Sequence, residues 1–181
     1  MKGSEIFSRE LGAIHNKELR QAVATFLDEK VPKYFYEVAA SSTGKYHPWY
    51  SLGYGGLVRH TKAAVLIAVD LLSLEQNKYL PSDIIIAALI LHDSFKHGMS
   101  DTGHTEFIHP ILAGFELDIF ADDNDVPELH DVADLIASHM GQWNTSKYDK
   151  TVLPKPSDVA QKFVHMCDYL ASRKYLTVEV E

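Results

Sequence analysis

The segment Ile84–Leu91 reads IIIAALIL without a polar residue, and His92 and Asp93 follow it at once. A run that is apolar on every side belongs inside the protein. It therefore carries an imidazole and a carboxylate toward the interior. Burying such groups costs several kcal/mol or more unless they are hydrogen-bonded or hold a metal.

Elsewhere apolar residues recur with helical rather than alternating period, so the chain is expected to be all-α. With 181 residues, 46% of them hydrophobic and 23% charged, it suits one domain, 1–181, with a substantial core. The net charge of -8 and the lack of a polybasic run disfavour long nucleic acid and anionic membranes as partners. One cysteine, Cys167, excludes an intrachain disulfide, and the N-terminus has no apolar stretch of signal-peptide length, which points to the cytoplasm. The longest apolar run falls far short of the roughly 20 residues a membrane span needs.

Helix signals divide the chain further. Asn16 is a good N-cap for a helix to about Lys30, and Pro32 opens a short one through KYFYEVAA. A loop rich in Gly and Tyr leads to a long helix over Leu57–Leu74. Ser82 is expected to cap the apolar helix ending in His92-Asp93, and a mobile loop from Lys96 to Glu106 follows. FIHPILAGFELDIFA is helical, DDNDVP forms an acidic loop, ELHDVADLIASHM is a helix stopped by Gly141, and Ser157 caps the last. The tail TVEVE is either a short strand or frayed.

His60, His92, Asp93, His109, His139 and Asp168 each fall beside an apolar stripe of these helices. Four imidazoles and two carboxylates meeting in one bundle core make a good ligand set for one or two transition-metal ions. Mn, Fe, Ni, Co and Zn all suit it. Of the other histidines, His165 is either a support for the site or core packing, and His15, His47, His97, His104 and His130 read as surface or loop residues. Asp122, Asp123 and Asp125 lack the Gly and distal Glu of a calcium loop and read as a solvated acidic segment.

The ordered set, with its flanks YGGLVRHT, LHDSFK, HPILAG, LIASHMGQW and CDYLASRK, resembles the HD-domain superfamily of metal-dependent phosphohydrolases. It is most similar to the HD domain of bacterial 3'-to-5' exoribonucleases, without their OB-like domain. The similar segments cover 54–174 and leave the helices of residues 1–40 peripheral, as a cap on the bundle or a homodimer contact.

The resemblance implies a helical bundle with the metal site in its core. His60, His92, Asp93 and Asp168 would hold one ion, and His109 and His139, with Asp93 bridging, a second. Metal-activated water would attack a phosphoester of a nucleotide or another small phosphorylated metabolite. Asp93 and Lys96 would be catalytic, Lys96 stabilising phosphoryl charge. Arg173 and Lys174 would anchor a second phosphate or, alternatively, compensate a helix C-terminus. Tyr50, Tyr54 and Trp143 would wall a nucleobase. Two departures stand out: Ser94-Phe95 replaces a small pair ending in Gly, and Met140 stands where several two-metal relatives place a second histidine. The same ligand set also serves mixed-valent di-iron oxygenases of this fold. A non-catalytic nucleotide-binding module is the third reading.

Overall fold

The computed structural model describes residues 2–41, 43–176 and 179, and the tail expected as strand or frayed lies largely outside them. The described residues are all-helical apart from an isolated antiparallel bridge between Thr145 and Val152. No helix among them is long and apolar enough to cross a membrane.

Helix α5 (Ser82–Leu91) is the axis of the fold, with every residue from Ile85 to Leu91 buried. Around it pack α3 (Lys17–Glu29), α4 (Gly56–Leu72), α7 (Glu128–Ala137) and α8 (Val159–Ala171), while α6 (His109–Asn124) packs chiefly on α7. Two short helices, α1 (Gly3–Ile6) and α2 (Ser8–Gly12), precede these without an obvious signal in the sequence. The N-terminal helices share the core, because Phe26 of α3 meets the edges of Phe95 and Phe120. Asp83, in the first turn of α5, accepts the backbone N–H groups of His15 and Asn16 at 3.0 and 2.7 Å. That contact ties the start of α3 to α5.

Several expected boundaries move for local reasons. Asn16 caps α3 as expected, its Oδ1 accepting from the N–H groups of Glu18 and Leu19. Ser82 does not cap α5: Ile85 N–H donates to Pro81 C=O, so Pro81 is the cap and Ser82 the first helical residue. Ser157 does not cap α8 either. Asp158 does, accepting Gln161 N–H at 2.8 Å, while Gln161 Oε1 turns back onto Ser157. The acidic segment is mostly helix, with Asp122, Asp123 and Asn124 in the last turn of α6 and Asp125 alone taking the left-handed turn, φ 55°. Helix α7 ends at Ala137, before His139. The segment after Pro32 makes only a 3-10 turn over Lys33–Tyr36.

Candidate metal centre

Each of the six expected ligands is mounted near a helix end or first turn, and the bundle brings all six together. His60 comes from α4, His92 caps the end of α5 with Asp93 next, His109 opens α6, His139 lies in the turn after α7, and Asp168 sits in the last turn of α8. The four imidazoles and Asp93 are buried, and Asp168 is partly exposed. Among the described residues two groups have ligand atoms close enough to share an ion: His60, His92 and Asp168, and His92, Asp93 and His139.

Asp93 divides its oxygens between two sides. Oδ1 faces His109 Nε2 at 3.1 Å and His139 Nε2 at 3.8 Å, while Oδ2 faces His92 Nε2 at 3.5 Å and the Lys96 ammonium at 2.5 Å. Asp168 Oδ1 lies 2.9 Å from His60 Nε2 and 3.5 Å from His92 Nε2.

Three of the imidazoles share one support. Nδ1 of His92 lies 2.8 Å from Leu89 O, that of His109 2.7 Å from Glu106 O, and that of His139 2.8 Å from Ile136 O. A carbonyl only accepts, so each Nδ1 carries a proton and Nε2 is the nitrogen each ring turns into the site. His109 and His139 then face each other Nε2 to Nε2 at 3.3 Å. Two lone pairs at that distance require a cation between or beside them, either a proton on one ring or a metal ion. His92 Nε2 is buried with no hydrogen-bond partner among the described residues, and so is His60 Nδ1. The orphaned His92 Nε2, 3.5 Å from Asp93 and 3.5 Å from Asp168, fits a divalent ion of the imidazole-binding kind.

The electrostatics agree with a site built for positive charge. Burial pushes the Asp93 carboxyl up, but Lys96 and His92 outweigh it and hold Asp93 well below the usual carboxylate range. Asp168 is likewise held low against its burial by the hydrogen bond from His60 and by His92 beside it. For His92 burial acts downward, and Asp93 and Asp168 reverse it. His139 is driven down to about 3 by burial, then by His92 and His109. It is neutral at any ordinary pH.

A cleft of about 440 Å³ opens onto the cluster. Lys96 lines it, yet not from a mobile loop: its N–H donates to Asp93 O, its C=O accepts from Glu106 N–H, and its ammonium is on Asp93. Arg173 also lines the cleft, its guanidinium lying 4.4 Å from the Tyr169 ring centre and 5.8 Å from that of Tyr46. Trp143 stacks on the other partner of that row, Tyr169, at 5.8 Å. Lys174 is exposed and outside the cleft lining, and its backbone N–H donates to Tyr46 O. Both basic residues follow the end of α8 at Ala171.

Of the expected aromatic wall only Trp143 is there. Tyr50 is buried with its hydroxyl donating to Ala171 O at 3.0 Å, and Tyr54 is exposed away from the cleft. Tyr46 takes part in their place, and Tyr169 backs Trp143 and Arg173; the latter was detectable as the neighbour of Asp168. His47, expected at the surface, is half-buried at the cleft, its ring centre 5.9 Å from that of His60. Burial, then His60 and Lys96, lower it to about 4. No local signal in its loop announces this.

His97, also expected at the surface, is buried, stacked on Tyr34 and bonded to Asp101. His165 gives its Nδ1–H to His139 O at 2.7 Å and so supports the turn that presents His139. His15, His104 and His130 are exposed, as expected. No family model, curated protein or solved structure matches the chain.

Proposed function

We propose that this protein is a metal-dependent phosphohydrolase of the HD-domain kind, acting in the cytoplasm on a small phosphoester, foremost a nucleotide. The observation that carries the reading is the pair His109–His139. Two buried Nε2 atoms face each other at 3.3 Å with both Nδ1 positions already spent on carbonyls, beside a carboxylate that serves both sides of the cluster. The resemblance of the motif flanks points the same way.

His60, His92, Asp93 and Asp168 would hold one divalent ion, and His109 and His139 with Asp93 a second. Such an ion supplies a water of lowered pKa and neutralises phosphoryl oxygens. The chain's own groups do the rest. His139 stays neutral and offers a lone pair instead of repelling a cation. Arg173, held by Ser172 Oγ through its Nε and one Nη, faces the cleft as an anion contact beyond the reacting phosphate. Trp143 gives the cleft a flat apolar side against which a planar ring packs.

The test is elemental analysis of protein purified without chelator, followed by phosphate release from a nucleotide panel with and without the ion found. Metal-dependent release lost in Asp93→Ala supports the proposal. Two irons per chain with oxygen consumption and no phosphate release would assign the site to oxygenase chemistry instead. Absence of metal after reconstitution would overturn the metal centre itself.

A further inference from the structure

Lys96 stands on a carboxylate oxygen that a metal ion held by His92 and Asp93 would use. Its ammonium contacts Asp93 Oδ2, and that oxygen is also the one turned toward His92 Nε2. Both side chains are withdrawn from solvent, Lys96 12% exposed and Asp93 3%. The contact is therefore a buried ion pair and not a screened surface one. A divalent ion and an ammonium on one oxygen repel strongly in such surroundings.

We propose that Lys96 is a built-in competitor for the metal: the ammonium and a divalent ion are alternative partners of Asp93 Oδ2, and loading moves the lysine side chain into the cleft. The inference rests on the metal reading above. The backbone on either side does not have to move. Lys96 N–H is bonded to Asp93 O at 3.0 Å, and Lys96 C=O accepts from Glu106 N–H at 2.8 Å. Only the flexible four-carbon stem need swing, and the space it would enter is the cleft it already lines with His47, Tyr46 and Arg173. Two functions then follow from one residue. Without an ion Lys96 supplies the nearest cation to a buried carboxylate. With an ion it adds a second cation to the cleft at the moment the site becomes competent, so the anion-binding side is completed by metal loading.

The opposite reading is that Lys96 only braces Asp93 and keeps its place throughout. The two differ in a quantity that needs no substrate. Chelator-stripped full-length protein is titrated with manganese(II) by calorimetry as wild type, Lys96→Met, Lys96→Arg and Asp93→Ala. Competition predicts that Lys96→Met binds roughly tenfold tighter or more while Lys96→Arg stays near wild type, because the cation and not the stem opposes the ion. A brace predicts equal or weaker binding in Lys96→Met.

Should Lys96→Met fail to fold, amine labelling of the wild type read by mass spectrometry decides. Labelling of Lys96 that rises on manganese loading supports displacement, and labelling that stays the same or falls overturns it. Manganese bound in an Asp93-dependent way but with affinity unaltered or weakened in Lys96→Met overturns this inference alone. Wild type that binds no manganese, or binds it equally in Asp93→Ala, overturns the metal centre beneath it.

Discussion

The ring of His165 occupies the place that a side chain at Gly141 would take: a Cβ there would lie 2.2 Å from His165 Cε1. Gly141 also has φ +58°, a conformation that costs an L-residue about 1–2 kcal/mol on its own. Gly141→Ala is therefore expected to lose roughly 2–4 kcal/mol of stability in urea unfolding. Because His165 holds the His139 carbonyl, the variant should also bind metal more weakly. Removing the ring in His165→Ala should make the added alanine much cheaper, a non-additivity of about 1 kcal/mol or more. Simple addition of the two losses would show that the ring is not the obstacle.

Tyr50 carries the loop before α4 to the end of α8 through one buried bond, hydroxyl to Ala171 O. Tyr50→Phe leaves that carbonyl unpaired with the packing intact, for an expected loss of about 1 kcal/mol. An unchanged urea midpoint would mean that solvent reaches the carbonyl.

Cys167 is fully buried in α8, and burial, then Asp168, pushes its thiol up to about 12. It should resist thiol-specific reagents at pH 8 in the folded protein and react fully in urea. Rapid labelling of the native chain would mean that α8 opens readily.

Acid should destabilise the metal-free protein before the carboxylates titrate. His139 sits at about 3 in the fold against 6.5 in the unfolded chain, and His47 at about 4. As pH falls below 6.5 the unfolded chain takes up these protons and the folded chain does not, so stability declines through that window. His92, raised in the fold, has the other sign: its contribution is complete below 6.5 and is lost as pH rises above it. The melting temperature of chelated protein should thus fall from pH 6.5 toward 4, less steeply in His139→Gln. A flat profile for the wild type would contradict a neutral buried His139.

Much of this was readable in advance. An all-apolar α5 can only be an axis, and the charged residues set at its end are carried inward with it. The six clustered residues were legible for that reason, each standing beside a stripe that must face inward. Cap positions were legible only to within a residue: Ser157 and Asp158 suit a cap almost equally, and at α5 the bond from Ile85 N–H to Pro81 O makes Ser82 the first helical residue despite its preference for the cap. The cleft wall was the least legible. Tyr46, Tyr50 and Tyr54 look alike in one loop, and which of them faces the cleft depends on how that loop meets the end of α8. His97 was hidden for a similar reason, its partner Tyr34 lying far away in the chain.

The carbonyls that hold His92, His109 and His139 belong to the main chain three residues earlier in each case. No substitution removes a main-chain oxygen. Alanine scanning around these three rings would therefore find few supporting side chains, and the cluster would tolerate neighbouring drift as long as the helix ends keep their shape. His60 is the exception, since its hydrogen bond runs to the side chain of Asp168. Sequence change should wear at that corner of the centre first.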